Sequence, residues 1–248
     1  MNNQTIKDLQ LLKQAKHRKT KNMFIAEGKR LIEAALDWST SVESIFCTEK
    51  FYVKNKDDWR GFVGIDNLMI NILTESQFKK ISSTTTPSGI AAKCSIIEHS
   101  SPDLNQPHWI YLDKISDPGN LGTVLRTASW FGVNNIALSP ESVDPYNPKT
   151  IRAGMGAHFG LNIHKDIKLG QFVKTHSIIA GSKEGEDVSK FKFPDKYVLV
   201  LGNEAHGISG VTKEIVQHHI TIKKLGQCES LNLASAASVI MYVITKDQ

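Results

Sequence analysis

Over residues 1–97 the apolar positions switch repeatedly between helix-like and strand-like spacing. Ile6, Leu9, Leu11, Leu12 and Ala15 suit one face of a helix, since residues three and four apart share a side. Met23 to Ala26 reads as a short strand, and Glu27-Gly28 leads into a helix striped by Leu31, Ala34 and Ala35. Val42 to Cys47, Leu68 to Leu73 and Gly89 to Cys94 read as strands, with a short helix capped by Thr74 between the last two. Glu98 to Pro107 is rich in Ser, Pro, Asp and Asn, which is loop chemistry, and marks a linker between two domains.

From residue 108 onward strands and helices alternate. Trp109 to Leu112, Asn135 to Leu138, Ser177 to Ala180, Tyr197 to Leu201 and His219 to Ile222 read as strands. Asn120 to Phe131, Phe172 to Lys174, Val211 to Val216 and Leu231 to Ile244 read as helices. Tyr197 to Leu201 is a near-continuous apolar run of β-formers, as a strand buried on both faces requires. The alternation predicts an α/β domain built on a mostly parallel sheet.

Composition narrows the class only a little. Hydrophobic residues make up 40% and charged residues 22%, ordinary for a globular protein. No apolar run is long enough to span a membrane, and the first residues lack the apolar stretch of a signal peptide, so a cytoplasmic protein is expected. Three scattered cysteines read as thiols in a reducing compartment, and no histidine or cysteine spacing suggests a metal site. The net charge of +5 favours a polyanionic partner weakly. Its placement says more, because Lys13, Lys16, His17, Arg18, Lys19 and Lys21 lie within nine residues.

Three runs carry candidate chemistry. Asp117-Pro-Gly-Asn-Leu-Gly sits where a strand hands over to a helix, and Asn120 and Arg126 follow one another by six residues. A helix starting near Asn120 would let both side chains reach the strand ends, where α/β proteins bind ligands. Leu201-Gly-Asn-Glu-Ala-His-Gly-Ile-Ser ends a buried strand in a glycine-bearing loop. It is neither a dinucleotide fingerprint nor a P-loop. Cys228-Glu-Ser-Leu-Asn-Leu then opens a helix rich in small residues, with Ser230 as its cap and Asn232 in its first turn. Taken singly, each run also reads as helix capping or tight packing.

In order and spacing the three runs together resemble the motifs of the SpoU (TrmH-like) RNA 2′-O-ribose methyltransferases of the SPOUT superfamily. Asn120, Gly122 and Arg126 match the first motif. Gly202, Asn203, Glu204, Gly207 and Ile208 match the second, although Ala205 and His206 depart from it. Ser230, Leu231, Asn232, Ala236 and Tyr242 match the third. The run Arg152 to Phe159 resembles a further element of the family, with Gly154 where a serine is frequent. The stretch from Arg18 to Leu36 and the TPSGIAA run around Gly89 resemble the family's substrate-binding domain.

The resemblance implies an L30e-like α/β substrate-binding domain over residues 1–97, a linker over 98–107, and a methyltransferase domain over 108–248. It implies that the second sheet is closed by a deep trefoil knot. S-adenosylmethionine would lie against Gly202, Asn203, Ile222 and Leu231. Arg126 would act on the ribose hydroxyl, with Asn120, Glu204, Ser230 and Asn232 positioning it, the ribose and the cofactor. A guanidinium ordinarily stays protonated, so two roles are open for Arg126: a base assisted by an RNA phosphate, or a clamp on a developing alkoxide. Lys16, Arg18, Lys19 and Lys21 would neutralise RNA phosphates. A homodimer is expected, with ribosomal RNA favoured over transfer RNA. The rival readings are methylation of a base nitrogen, a non-catalytic RNA-binding or ribosome-assembly protein, and a resistance methylation of ribosomal RNA.

Overall fold

The computed structural model describes residues 1–38, 42–55, 69–97 and 101–246. They form two compact units, Met1–Ile97 with Tyr146–Phe159, and Glu98–Pro145 with Gly160–Gln248. Leu68, placed at the start of a strand by its apolar character, lies outside the described residues, as do residues 98–100 of the linker.

In the first unit, strands β1 (Met23–Glu27), β2 (Val42–Thr48), β3 (Met69–Leu73) and β4 (Ile90–Ser95) form a sheet in the order β1-β4-β2-β3. β4 runs antiparallel to both neighbours, and β2 pairs β3 in parallel. The two faces of this sheet sort by the period of two. Ile45, Cys47, Ile90, Ala92 and Cys94 face one cluster with Phe24 and Ile32. Phe46 and Ala91 face another with Ile6, Leu9, Phe78 and Ile81. The predicted N-terminal helix is two helices, α1 (Asn3–Leu11) and α2 (Ala15–Lys21). Helices α3 (Lys29–Asp37), α4 (Glu49–Lys54) and α5 (Glu75–Ile81) are the others among the described residues of the N-terminal part. Thr74 and Gln77 close a capping box at the start of α5.

The run Arg152 to Phe159 belongs to this first unit, although the linear reading keeps it in the second domain. It begins in helix α7 (Pro148–Gly154). Tyr146, Ile151 and Phe159 join the Phe24 cluster, and the Phe24 and Tyr146 rings lie 5.1 Å apart. Burying each such aromatic contributes about 2–3 kcal/mol, which is reason enough for the segment to pack there. Gly156 is required at its position: φ is +98°, and a Cβ would sit 2.6 Å from the Ala34 methyl.

The second unit holds a six-stranded, all-parallel sheet in the order β10-β8-β9-β5-β6-β7. Its strands are β5 (His108–Leu112), β6 (Asn135–Leu138), β7 (Asn162–His164), β8 (Ser177–Asp187), β9 (Tyr197–Leu201) and β10 (His218–Thr221). Every residue of β6 and β9 is buried, as the apolar runs predict for strands covered on both faces. Helices α6 (Pro118–Trp130) and α9 (Leu233–Thr245) pack against each other, and α8 (Gly210–Lys213) is a single turn. The helix expected at Phe172 to Lys174 is instead turn, preceded by a 3₁₀ turn at Leu169–Gln171. β7 and α7 are short elements that the hydrophobic pattern does not announce.

Candidate active site at the carboxyl edge of the parallel sheet

The loops that follow β5, β9 and β10 leave the sheet at one edge, because all six strands run the same way. The three sequence runs are those loops and the helices they open.

The first run begins α6 earlier than its spacing predicts. Asp117, not Asn120, is the N-cap: its Oδ1 accepts from the Asn120 amide at 2.8 Å, and Pro118 takes the first helical position. This frees the Asn120 side chain. Its Nδ2 donates to Glu204 Oε1 at 3.0 Å, and its Oδ1 accepts from Asn232 Nδ2 at 2.9 Å. One amide thus joins all three runs.

The second run is pinned by Asn203. Its backbone exchanges two hydrogen bonds with Gly207, at 2.8 and 2.9 Å. Its Oδ1 accepts from the Ala205 and His206 amides, and its Nδ2 donates to the Lys114 carbonyl at 2.8 Å. Gly202 is needed because a Cβ there would stand 2.4 Å from the Gly207 carbonyl carbon and the Ile208 nitrogen. Behind the loop, buried Asp113 accepts from the Ser209 amide at 2.7 Å. Ser116 donates to Glu204 Oε2 at 3.3 Å. Ser116 and Asp113 carry no motif signal beyond lying beside Asp117, and reading the motifs alone misses them.

In the third run the cap moves by two residues. Asn232, not Ser230, is the N-cap of α9, and its Oδ1 accepts from the Ala234 and Ser235 amides at 2.9 and 3.3 Å. An asparagine whose oxygen caps and whose nitrogen binds Asn120 satisfies both jobs at once. Ser230 is exposed and makes no hydrogen bond among the described residues. Ile222 is half-buried, while Leu231 is 54% exposed in the irregular stretch after β10.

Arg126 stands apart from this cluster. Six residues along α6 from Asn120 it lies about 9 Å farther along the axis and on another side. It is exposed, shares an outward stripe with Thr123 and Trp130, and makes no hydrogen bond or ion pair among the described residues. The structure brings Asn120, Glu204 and Asn232 together and leaves Arg126 free to meet another molecule.

Residues 107–242 match the model of the SpoU rRNA Methylase family, and residues 3–92 match the MRM3-like substrate binding domain. The chain belongs to the SpoU rRNA methylase family. It is 29% identical over 247 residues to the 23S rRNA (guanosine(2553)-2′-O)-methyltransferase RlmP of Bacillus subtilis, covering 97% of this chain and 95% of that protein. Among solved structures it resembles a TrmH-family protein from Porphyromonas gingivalis, at TM-score 0.86 and 26% identity, over 100% of this chain and 99% of that one. An S-adenosylmethionine-bound rRNA methyltransferase from Sinorhizobium meliloti superposes at TM-score 0.82 and 26% identity, over 99% and 95%. In this SpoU chain the three motifs are therefore one hydrogen-bonded edge rather than three separate caps.

The basic run behaves less uniformly than its sequence suggests. Lys16 and Lys19 are exposed, and Lys21 pairs with Asp8 at 3.3 Å. Arg18 corrects the expectation. It is 2% exposed, and its Nη1 donates to the Leu12 and Lys13 carbonyls at 2.9 and 2.8 Å. It closes the end of α1 from inside the turn to α2, so its guanidinium is not presented to a phosphate. Arg18→Ala should lower stability by about 2–3 kcal/mol in a urea titration and leave the salt dependence of RNA binding unchanged. A weaker salt dependence at unaltered stability would return Arg18 to the RNA surface.

Asn232 separates capping from site geometry. Asn232→Asp keeps the oxygen that caps α9 and removes the donor to Asn120. Its melting temperature should stay within a few degrees of wild type while turnover falls about tenfold or more. Asn232→Ala should lose both, with about 1 kcal/mol of stability. Wild-type turnover in the Asp variant would show that the Asn232–Asn120 bond is not used.

Proposed function

We propose that this protein transfers a methyl group from S-adenosylmethionine to a ribose 2′-hydroxyl of ribosomal RNA. The observation that carries the reading is the Asn232–Asn120–Glu204 chain, which fastens the three family motifs into one edge. The residues there suit the cofactor. Two exposed stretches, 204–206 and 223–232, offer backbone groups beside the apolar Leu231 and half-buried Ile222. Gly202, Asn203, Ile222 and Leu231 would hold it. When bound, it supplies an electrophilic methyl on a sulfonium, a leaving group that needs no acid.

The remaining demand falls on the hydroxyl, which must be oriented in line and relieved of its proton. Arg126 is the group of this chain proposed to meet it. Asn120, tied at three points, and Glu204, tied at two, would hold the edge without rearranging during reaction. The trefoil threading of the second sheet is part of the same proposal.

A homodimer belongs to this reading. Trp130, Val239 and Tyr242 are 84%, 40% and 59% exposed on α6 and α9, an apolar surface out of keeping with a solvated face. Arg126 lies on the outward stripe that holds Trp130. Light scattering that reads a monomer mass would remove this part.

The deciding experiment incubates purified ribosomal RNA and transfer RNA with the protein and S-adenosylmethionine, then maps 2′-O-methyl groups. A new ribose methyl in ribosomal RNA is expected. A methyl found only in transfer RNA would replace the substrate. A methylated base would replace the reaction, and calorimetry showing no cofactor binding would favour the non-catalytic reading.

A further inference from the structure

The first unit contains a cleft outside the three runs of the candidate active site, with Arg152, the first residue of the further family element, in its lining. It has a volume of about 560 Å³ and is lined by Lys13, Ser83, Thr84, Thr85, Lys149 and Arg152, among others. We propose that this cleft is a second RNA contact, one that seats backbone phosphate through Lys13, Lys149 and Arg152 with hydroxyls from the 82–85 loop. The inference rests on the reading of the protein as an RNA methyltransferase. It adds where RNA lies on the first unit and which cations hold it.

The cleft is built rather than incidental. Its floor is the loop after α5, and that loop is wound around one buried carboxylate. Glu27, 9% exposed at the end of β1, accepts from Ser82 Oγ at 2.7 Å, the Ser83 amide at 3.1 Å, Thr84 Oγ1 at 3.2 Å and the Ser88 amide at 3.3 Å. Four donors spent on Glu27 fix the loop. They turn Ser82 and Thr84 inward and leave Ser83 and Thr85 exposed.

The opposite wall is α7, held to the same unit by Tyr146, Ile151 and Phe159. Arg152 crosses to the loop, its Nη1 donating to Ser83 Oγ at 2.6 Å. Lys13 closes one side, its Nζ on the Lys80 carbonyl at 2.6 Å. Burial pulls the Lys13 amine below the ordinary lysine value, and Glu27 pulls it back less strongly. An anion in the cleft would relieve that cost.

The chemistry selects nucleic-acid backbone over other occupants. Among the described residues that line the cleft, three are basic and none is acidic, and hydroxyls beside cations are the usual donors to phosphate oxygens. Among the described residues no aromatic ring lines the cleft, and none there offers a face on which to stack a base. The cleft should therefore add affinity and salt dependence without reading sequence. Two of its cations come from residues 149–152, inside the span of the methylase family model, while the loop comes from the substrate-binding span.

The test measures binding of a fluorescein-labelled RNA hairpin by anisotropy across a range of salt concentrations. Lys13→Gln combined with Arg152→Gln should weaken binding about tenfold or more and flatten the log–log salt slope by about two. Arg152→Lys, which keeps the charge, should restore most of the slope. A control, Lys190→Gln with Lys192→Gln, removes the same charge from an exposed stretch of the second unit and should leave the slope near wild type. Equal slopes in the cleft variant and wild type would overturn the proposal, as would an equal loss in the control. Melting curves guard against misfolding; if the double variant is unfolded, Arg152→Gln alone carries the comparison and should flatten the slope by about one. Methyl transfer to ribosomal RNA by the wild-type protein is scored separately. Its absence would count against the catalytic reading, while the slopes still decide the cleft.

Discussion

Replacing Arg126 by alanine is expected to lower methyl transfer by about a thousandfold while S-adenosylmethionine binds as before. The magnitude is that of removing one positioned base or one preorganised donor from a reacting oxygen. The reason to expect a clean result is structural. Arg126 is exposed on α6 and has no hydrogen-bond or ion-pair partner among the described residues, so its loss orphans nothing. Its removal should change stability by no more than about 0.5 kcal/mol. Single-turnover methylation with labelled cofactor, beside calorimetry of cofactor binding, checks both halves. Turnover near wild type would remove Arg126 from the reaction. Arg126→Lys then separates the two roles. A clamp keeps part of its rate with a lysine charge in place. A base would give a pH profile displaced downward, because an amine releases its proton more readily than a guanidinium.

The second large effect is expected at Gly202. A methyl group there meets backbone on the far side of its own loop, at 2.4 Å from Gly207 and Ile208, and backbone cannot rotate away as a side-chain tip can. Gly202→Ala should cost about 3 kcal/mol and displace the loop that carries Asn203 and Glu204. Glu204 then loses Asn120, and turnover should fall by tenfold or more even where the protein remains folded. Gly207→Ala is the matched comparison. Its φ is +67°, but no atom lies within 4 Å of the added Cβ, so the cost is the left-handed backbone alone, about 1 kcal/mol. Equal melting temperatures for the two variants would show that the contact across the loop does not constrain it.

These two positions illustrate different degrees of legibility. Gly202 and Gly207 were marked by the second motif, yet the motif does not say that one glycine serves space and the other serves φ. Asn120 and Asn232 were marked too, but their bond to one another spans 112 residues. Sequence spacing alone offers Asn120 as a cap and Asn232 as a first-turn residue behind a Ser230 cap. The actual caps, Asp117 for α6 and Asn232 for α9, differ from those expected by a few positions. Capping is decided by where the strand delivers the chain, and several Asp, Asn and Ser residues competed for each place. β5, β6 and β9 are plain in the sequence because burial on both faces calls for apolar runs. β7, with three residues, is too short to show any period.

By itself, then, the sequence determined the α/β alternation and the membership of three runs in one family. Those properties are local, or repeat at fixed spacing, and so survive in one dimension. Only the tertiary structure decided that Arg18 is buried against the end of α1 while its neighbours Lys16 and Lys19 stay in water. Only it showed that Glu27 fastens a loop more than fifty residues away, and that α7 joins the first unit rather than the domain surrounding it in sequence. A charge and its exposure are independent in sequence. Which side of a turn faces the core depends on the packing of residues far along the chain.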